Sequence, residues 1–91
     1  MIDLFLTPQD LQHTLAQRVR ALRKRQGWTQ QELAERSGLG VATVARLERS
    51  GQAQFSTILQ VSSALGRLED FQDLLAAPDP SSMAELLGER E

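Results

Sequence analysis

Ninety-one residues with one histidine, no cysteine and a net charge of −2 describe one small domain with no disulfide framework and no cysteine-based zinc site. No apolar run approaches the roughly 20 residues of a membrane span, and the start of the chain lacks the basic stretch of a signal peptide, so a soluble, cytoplasmic protein is expected. Charge is divided unevenly: residues 1–49 hold eight Lys/Arg and five Asp/Glu, residues 50–91 two and seven, so the first half suits phosphate and the second should point away from it.

Met1 to Leu6 is an apolar, loosely alternating arm. It is compatible with a short strand pairing with a second subunit or with a loose start that packs on the rest. Thr7-Pro8-Gln9-Asp10 then opens a helix, with Thr7 as N-cap, Pro8 in the first turn and Asp10 near the positive end of the dipole. Leu11, Leu15, Val19 and Leu22 form one apolar stripe at helical spacing. The other faces carry Arg18, Arg20, Arg23, Lys24 and Arg25, where cations near the helix C-terminus complement the macrodipole. Most of this run is read as solvated surface, with Arg23 placed to pair with Glu48 inside the fold. His13 has no second ligand residue nearby in sequence and is read as a solvated helix position. Gly27 ends the helix, and Trp28 is expected to cover the seam between the first two helices rather than stack on a base.

From Thr29 to Arg49 the chain reads as two short helices around a glycine-containing break. Thr29 can cap the first, and Glu32 three residues on closes a capping box. Leu33 and Ala34 face inward, and Ala34 is small where a second helix must cross closely. Gly38 sits where the turn needs φ > 0, and glycine adopts that without steric cost. Leu39 plugs the core, Gly40 opens the second helix, and Val44 and Leu47 are its inward pair. This is the helix-turn-helix pattern. At about 100° per residue, Ala42, Ala45, Arg46 and Arg49 project away from the buried side, and Val41 lies on the exposed first turn. Small side chains with two arginines suit a helix entering the DNA major groove, where guanine offers two acceptors to one guanidinium.

Ser50 to Gln54 is a loop, and Ser56 is expected to cap a fourth helix running to Leu65, with Ile58, Val61 and Leu65 inward and Gly66 ending it. A fifth helix is expected from Leu68 to Ala76, bearing Leu68, Phe71, Leu74 and Leu75. A bundle this small cannot bury all four, so part of that stripe is assigned to a subunit interface. Ala77-Pro78-Asp79-Pro80 stops it. Ser81 offers a cap for a short acidic last segment with Met83, Leu86 and Leu87 on one side, either a dock for a partner or a frayed end. The chain thus divides into an arm (1–6), a helix-turn-helix domain (7–76) and an acidic tail (77–91).

Gly27-Trp28-Thr29-Gln30-Gln31-Glu32-Leu33-Ala34, followed by Ser37-Gly38-Leu39-Gly40-Val41-Ala42-Thr43-Val44-Ala45-Arg46-Leu47-Glu48-Arg49, resembles the Cro/C1 (Xre) family of DNA-binding domains over about Leu15 to Leu65. The resemblance implies an all-α bundle of about five helices that binds operator DNA as a homodimer. It implies Gln30 as a phosphate clamp, Val41, Ala42, Thr43 and Arg46 as base-facing positions, and Arg49 as a backbone contact. Two departures stand out. Val41 and Ala42 replace the Gln or Ser of many members, which makes direct hydrogen-bond readout sparse, and Gly40 replaces the usual capping Ser or Thr. Leu6-Thr7-Pro8-Gln9-Asp10-Leu11, with Val19 to Ala34, is also similar to HipB-type antitoxins, which repress their own operon and bind a HipA-type kinase.

The leading expectation is therefore a sequence-specific repressor acting as a dimer on an inverted-repeat operator. Arg46 would read guanine, Val41 and Ala42 would meet thymine methyls, and Thr29, Gln30 and Arg49 would fix register on phosphates. The competing class is a helical adaptor that binds protein instead of DNA, favoured by the lack of hydrogen-bonding groups on Val41 and Ala42. An enzyme is not expected. There is one His and no nucleotide-binding glycine loop; Glu32, Glu35 and Glu48 have ordinary helical explanations, and no metal or cofactor is implied.

Overall fold

The two sequence-local start signals each build a helix. Thr7 accepts from the Asp10 N–H while the Asp10 carboxylate accepts from the Thr7 N–H, starting α1 (Pro8–Arg25). Thr29 and Glu32 form the same reciprocal pair at 3.0 and 2.8 Å, starting α2 (Gln30–Ser37). In each box two backbone donors that a helix leaves unpaired are satisfied by side chains. The computed structural model describes residues 5–78; most of the arm and, at the other end, the acidic segment from Asp79, with the Ser81 cap, Met83, Leu86 and Leu87, lie outside the described residues. Two further α-helices follow among the described residues, α3 (Val41–Ser50) and α4 (Phe55–Ala64), then a 3₁₀ turn at Leu68–Phe71.

Val19, Leu33, Ala34, Val44, Leu47, Val61 and Leu65 form the core, and Leu15, Leu22, Trp28, Leu39 and Ile58 pack around it. Leu33, Val44, Leu47 and Val61 are fully buried, each worth roughly 1.5–3 kcal/mol relative to exposure. Helix α3 lies against both α1 and α2, and α2 lies against α4. Ala34 is buried in the core between these helices, where a small side chain is expected.

Four expectations need correction. The fifth helix is replaced by the four-residue 3₁₀ turn, and Leu75 turns the chain with φ 59°. A nine-residue segment this short does not sustain a helix without a buried face, and here Leu74 and Leu75 are exposed. Ser56 is not the cap of α4: Gln54 takes that position without a side-chain bond, and Phe55 begins the helix. Phe55 is held there by an edge-to-face contact with Phe71, centroids 5.9 Å apart, which favours drawing it into the helix. On α1, Leu11 is exposed and Ala16 is buried in its place, because Leu11 lies on the side of the helix that borders an open groove with Phe71 and Leu74. Ala45 on α3 is half-buried, since it faces α1 and not solvent.

Candidate nucleic-acid interface

The turn between α2 and α3 is set by Gly38, whose left-handed φ of 72° lets the Leu39 N–H reach back to the Ala34 carbonyl at 2.8 Å. The chain then enters α3 through Gly40, which occupies the N-cap position in an extended conformation without a side-chain hydrogen bond. Val44, Leu47 and Glu48 are buried on one side of α3, and Val41, Ala42, Arg46 and Arg49 are exposed on the other. Thr43 is half-buried at the edge of that outward face. The division into buried and outward sides is the one that periodicity implies, Ala45 excepted.

The two arginines, three residues apart, occupy different surroundings. Arg46 leans toward the loop after α3, where its Nη2 donates to Gln52 Oε1 at 3.1 Å. It shares a hollow with Thr43, Gln52, Gln54 and Thr57. Arg49 lines a notch between α1 and α3 with His13, Gln17, Arg20 and Gln30. The notch holds two cations and side-chain amides, a chemistry suited to a phosphate.

Glu48 also borders this notch, but its charge is compensated. Arg23 donates to it from Nε at 2.7 Å and from Nη2 at 2.9 Å, and gives Nη1 to the Trp28 carbonyl at 2.7 Å. The hydrogen bond to Glu48 holds the Arg23 guanidinium above its ordinary range, outweighing the opposing effect of burial, and the carboxylate charge adds to the rise. Gln30 Nε2 donates to the same carboxylate at 3.1 Å, so the side chain assigned to phosphate is held at the mouth of the notch. Its amide keeps a second N–H for a ligand. Thr29, the other member of that assignment, has its hydroxyl oxygen and its N–H engaged in the capping box. Trp28 covers the seam as expected: it is half-buried against the core, with the Arg36 guanidinium 4.3 Å from its ring centroid.

His13 and Arg20, whose spacing reads as plain helix surface, join the notch together with Gln17. His13, Gln17 and Arg20, at spacings of four and three, share one face of α1, and Gln17 and His13 hydrogen-bond at 3.2 Å. Spacing alone carried that signal, but only the position of α3 shows which face it matters on. Gln52 carries no such signal in sequence, because nothing in a loop glutamine announces the arginine beside it.

Residues 19–71, more than half of the chain, match the helix-turn-helix family. A stretch of 42 residues is 48% identical to the competence pilus inhibition repressor of Acinetobacter baylyi (strain ATCC 33305 / BD413 / ADP1). That stretch covers 46% of this chain and 38% of the relative, so the likeness spans less than half of either protein.

Proposed function

This chain belongs to the Cro/C1-type helix-turn-helix family, and from that premise we propose that it is a transcriptional repressor that binds an inverted-repeat operator as a homodimer. The observation that carries the reading is the outward face of α3, where Val41, Ala42, Arg46 and Arg49 are exposed while Val44 and Leu47 are buried. Arg46 reads guanine, worth on the order of 1–3 kcal/mol of discrimination. Val41 and Ala42 meet thymine methyls, with Thr43 at the edge of the same contact. Arg49 and Gln30 hold a phosphate at the notch, and Thr29 serves the same backbone through its place at the start of α2. The relative's name as a repressor supports the regulatory half of the reading.

The dimer is assigned to the groove between α1 and the 3₁₀ turn, lined by Leu11, Leu15, Leu22, Leu65, Phe71 and Leu74. Leu11 and Leu74 remain half-exposed there. Arg18, Arg67 and Asp70 put both signs of charge on the rim, which suits a two-fold contact with a second copy. Two reading helices would then lie about 34–36 Å apart. The narrower HipB-type resemblance draws no support from either match, and a kinase partner forms no part of the proposal.

The test begins by selecting bound duplexes from a randomised library with the full chain. Arg46→Ala is expected to relax preference at one position per half-site. Arg49→Ala is expected to weaken all duplexes alike and to flatten the salt dependence. Equal effects of both variants on every sequence, or no enrichment at all, would leave a helical protein-docking module as the better description.

A further inference from the structure

Resting on the DNA-reading role of Arg46, we infer that Gln52 is a positioning residue that sets the base preference of that arginine. A continuous chain of contacts runs from the scaffold to the guanidinium. Gly51 is buried at the end of α3 with φ 75°, and its Cα faces the Gln12 backbone so closely that an added Cβ would overlap the Gln12 carbonyl. One residue earlier, the Ser50 hydroxyl donates to the Arg46 carbonyl at 3.0 Å and accepts from the Gln52 N–H at 3.2 Å. The loop is thereby pinned to α1 on one side and to α3 on the other. It delivers the Gln52 side-chain amide oxygen, Oε1, to Arg46 Nη2 at 3.1 Å.

This bond uses one of the five N–H donors of the guanidinium. Four remain, and a guanine needs two of them for its O6 and N7. A long exposed arginine otherwise samples many rotamers, and a contact that restricts them before docking favours the one base step it faces. Gln52 itself need touch no base. Its effect is read as discrimination at the position Arg46 contacts, not as overall affinity.

The experiment compares the full chain with Gln52→Ala, Gln52→Glu, Arg46→Ala and the Gln52→Ala/Arg46→Ala double variant. Fluorescence anisotropy measures binding to the duplex selected by the unaltered chain, to its single-base substitutions and to an unrelated duplex. Gln52→Ala is expected to reduce discrimination at the Arg46 position about three- to tenfold while changing affinity for the unrelated duplex by less than about twofold. At that position the double variant should lose no more than Arg46→Ala alone. Gln52→Glu keeps the acceptor oxygen, so discrimination should survive while its added charge weakens every duplex alike. Unchanged discrimination in Gln52→Ala, a loss shared equally by all duplexes, or additive losses in the double variant overturns the inference while leaving the DNA-reading role standing. Failure of the unaltered chain to enrich any sequence overturns both.

Discussion

The guanidinium of Arg23 and the carboxylate of Glu48 meet side by side through two hydrogen bonds of 2.7 and 2.9 Å, across 25 positions of sequence. Both side chains are almost wholly withdrawn from solvent. The pair ties the end of α1 to the last turn of α3, and its third and fourth contacts fix the Trp28 carbonyl and Gln30. One carboxylate thus links the core face of α3 to the side chain proposed to hold a phosphate.

Removing one member leaves the other buried and uncompensated, which costs more than the pair contributes when intact. Glu48→Ala is expected to lower stability by about 3 kcal/mol in urea denaturation, whereas Arg23→Met combined with Glu48→Leu should recover more than half of that loss. A double variant less stable than Glu48→Ala would show that the pair contributes more than its desolvation costs.

Gly51 and Gly38 have nearly the same φ, 75° and 72°, but different neighbours. A Cβ on Gly38 would meet only Gln60 Nε2 at 3.9 Å, an ordinary contact, while one on Gly51 would strike the Gln12 backbone. Gly38→Ala is therefore expected to cost about 1 kcal/mol, the backbone penalty alone. Gly51→Ala should exceed about 3 kcal/mol, because α1 has to move away from α3. Chemical denaturation of the two variants side by side checks the order, and equal losses would contradict the close approach.

These glycines also show what the sequence makes legible. Gly38 was readable because its turn is local: a helix end, an apolar plug and a new helix within a few residues. The capping boxes at Thr7 and Thr29 are local in the same way. The close approach at Gly51 is set by Gln12, on the helix two elements earlier, and no local pattern carries it. The same distinction separates Arg23–Glu48, deducible from two amphipathic faces that must meet, from Arg46–Gln52, which depends on how one loop is pinned. The stretch from Leu68 misled because its leucines keep helical spacing with no core to face, and Ser56 misled because a good capping residue was outweighed by the packing of Phe55 on Phe71.

Gly40 is the departure most open to improvement. It already has the extended backbone of an N-cap, with φ −80° and ψ 153°, and an added Cβ meets nothing within 4 Å. Gly40→Ser supplies the missing side-chain acceptor and lowers the entropy of the unfolded chain, for a gain of about 0.5–1 kcal/mol. A rise in Tm of about 4 °C is expected for a domain of this size. An unchanged Tm would mean that water already satisfies the first turn of α3 equally well.

Arg20 joins Arg49 and Gln30 in the notch, and its role there separates phosphate contact from helix-dipole complement. As a phosphate contact, Arg20→Ala should weaken every duplex alike and reduce the slope of log K against log salt by about 0.9. As a dipole complement, it would lower thermal stability slightly and leave the slope unchanged. Binding titrations at several salt concentrations decide between the two.

Leu11 tests the proposed dimer. In the single chain it is 53% exposed, so Leu11→Lys removes little buried area and should shift stability by no more than about 0.5 kcal/mol. Placed at the centre of a two-fold contact, however, the substitution sets two cations against the groove of Leu15, Leu22 and Leu74, and burying them unpaired is costly. Sedimentation is therefore expected to show the variant as a monomer at concentrations where the unaltered chain is a dimer. Affinity for a full inverted repeat should fall toward that for a half-site, with half-site binding itself retained, because α3 is untouched. A variant that remains dimeric and keeps its preference for the full repeat would place the two-fold contact on another face of the bundle.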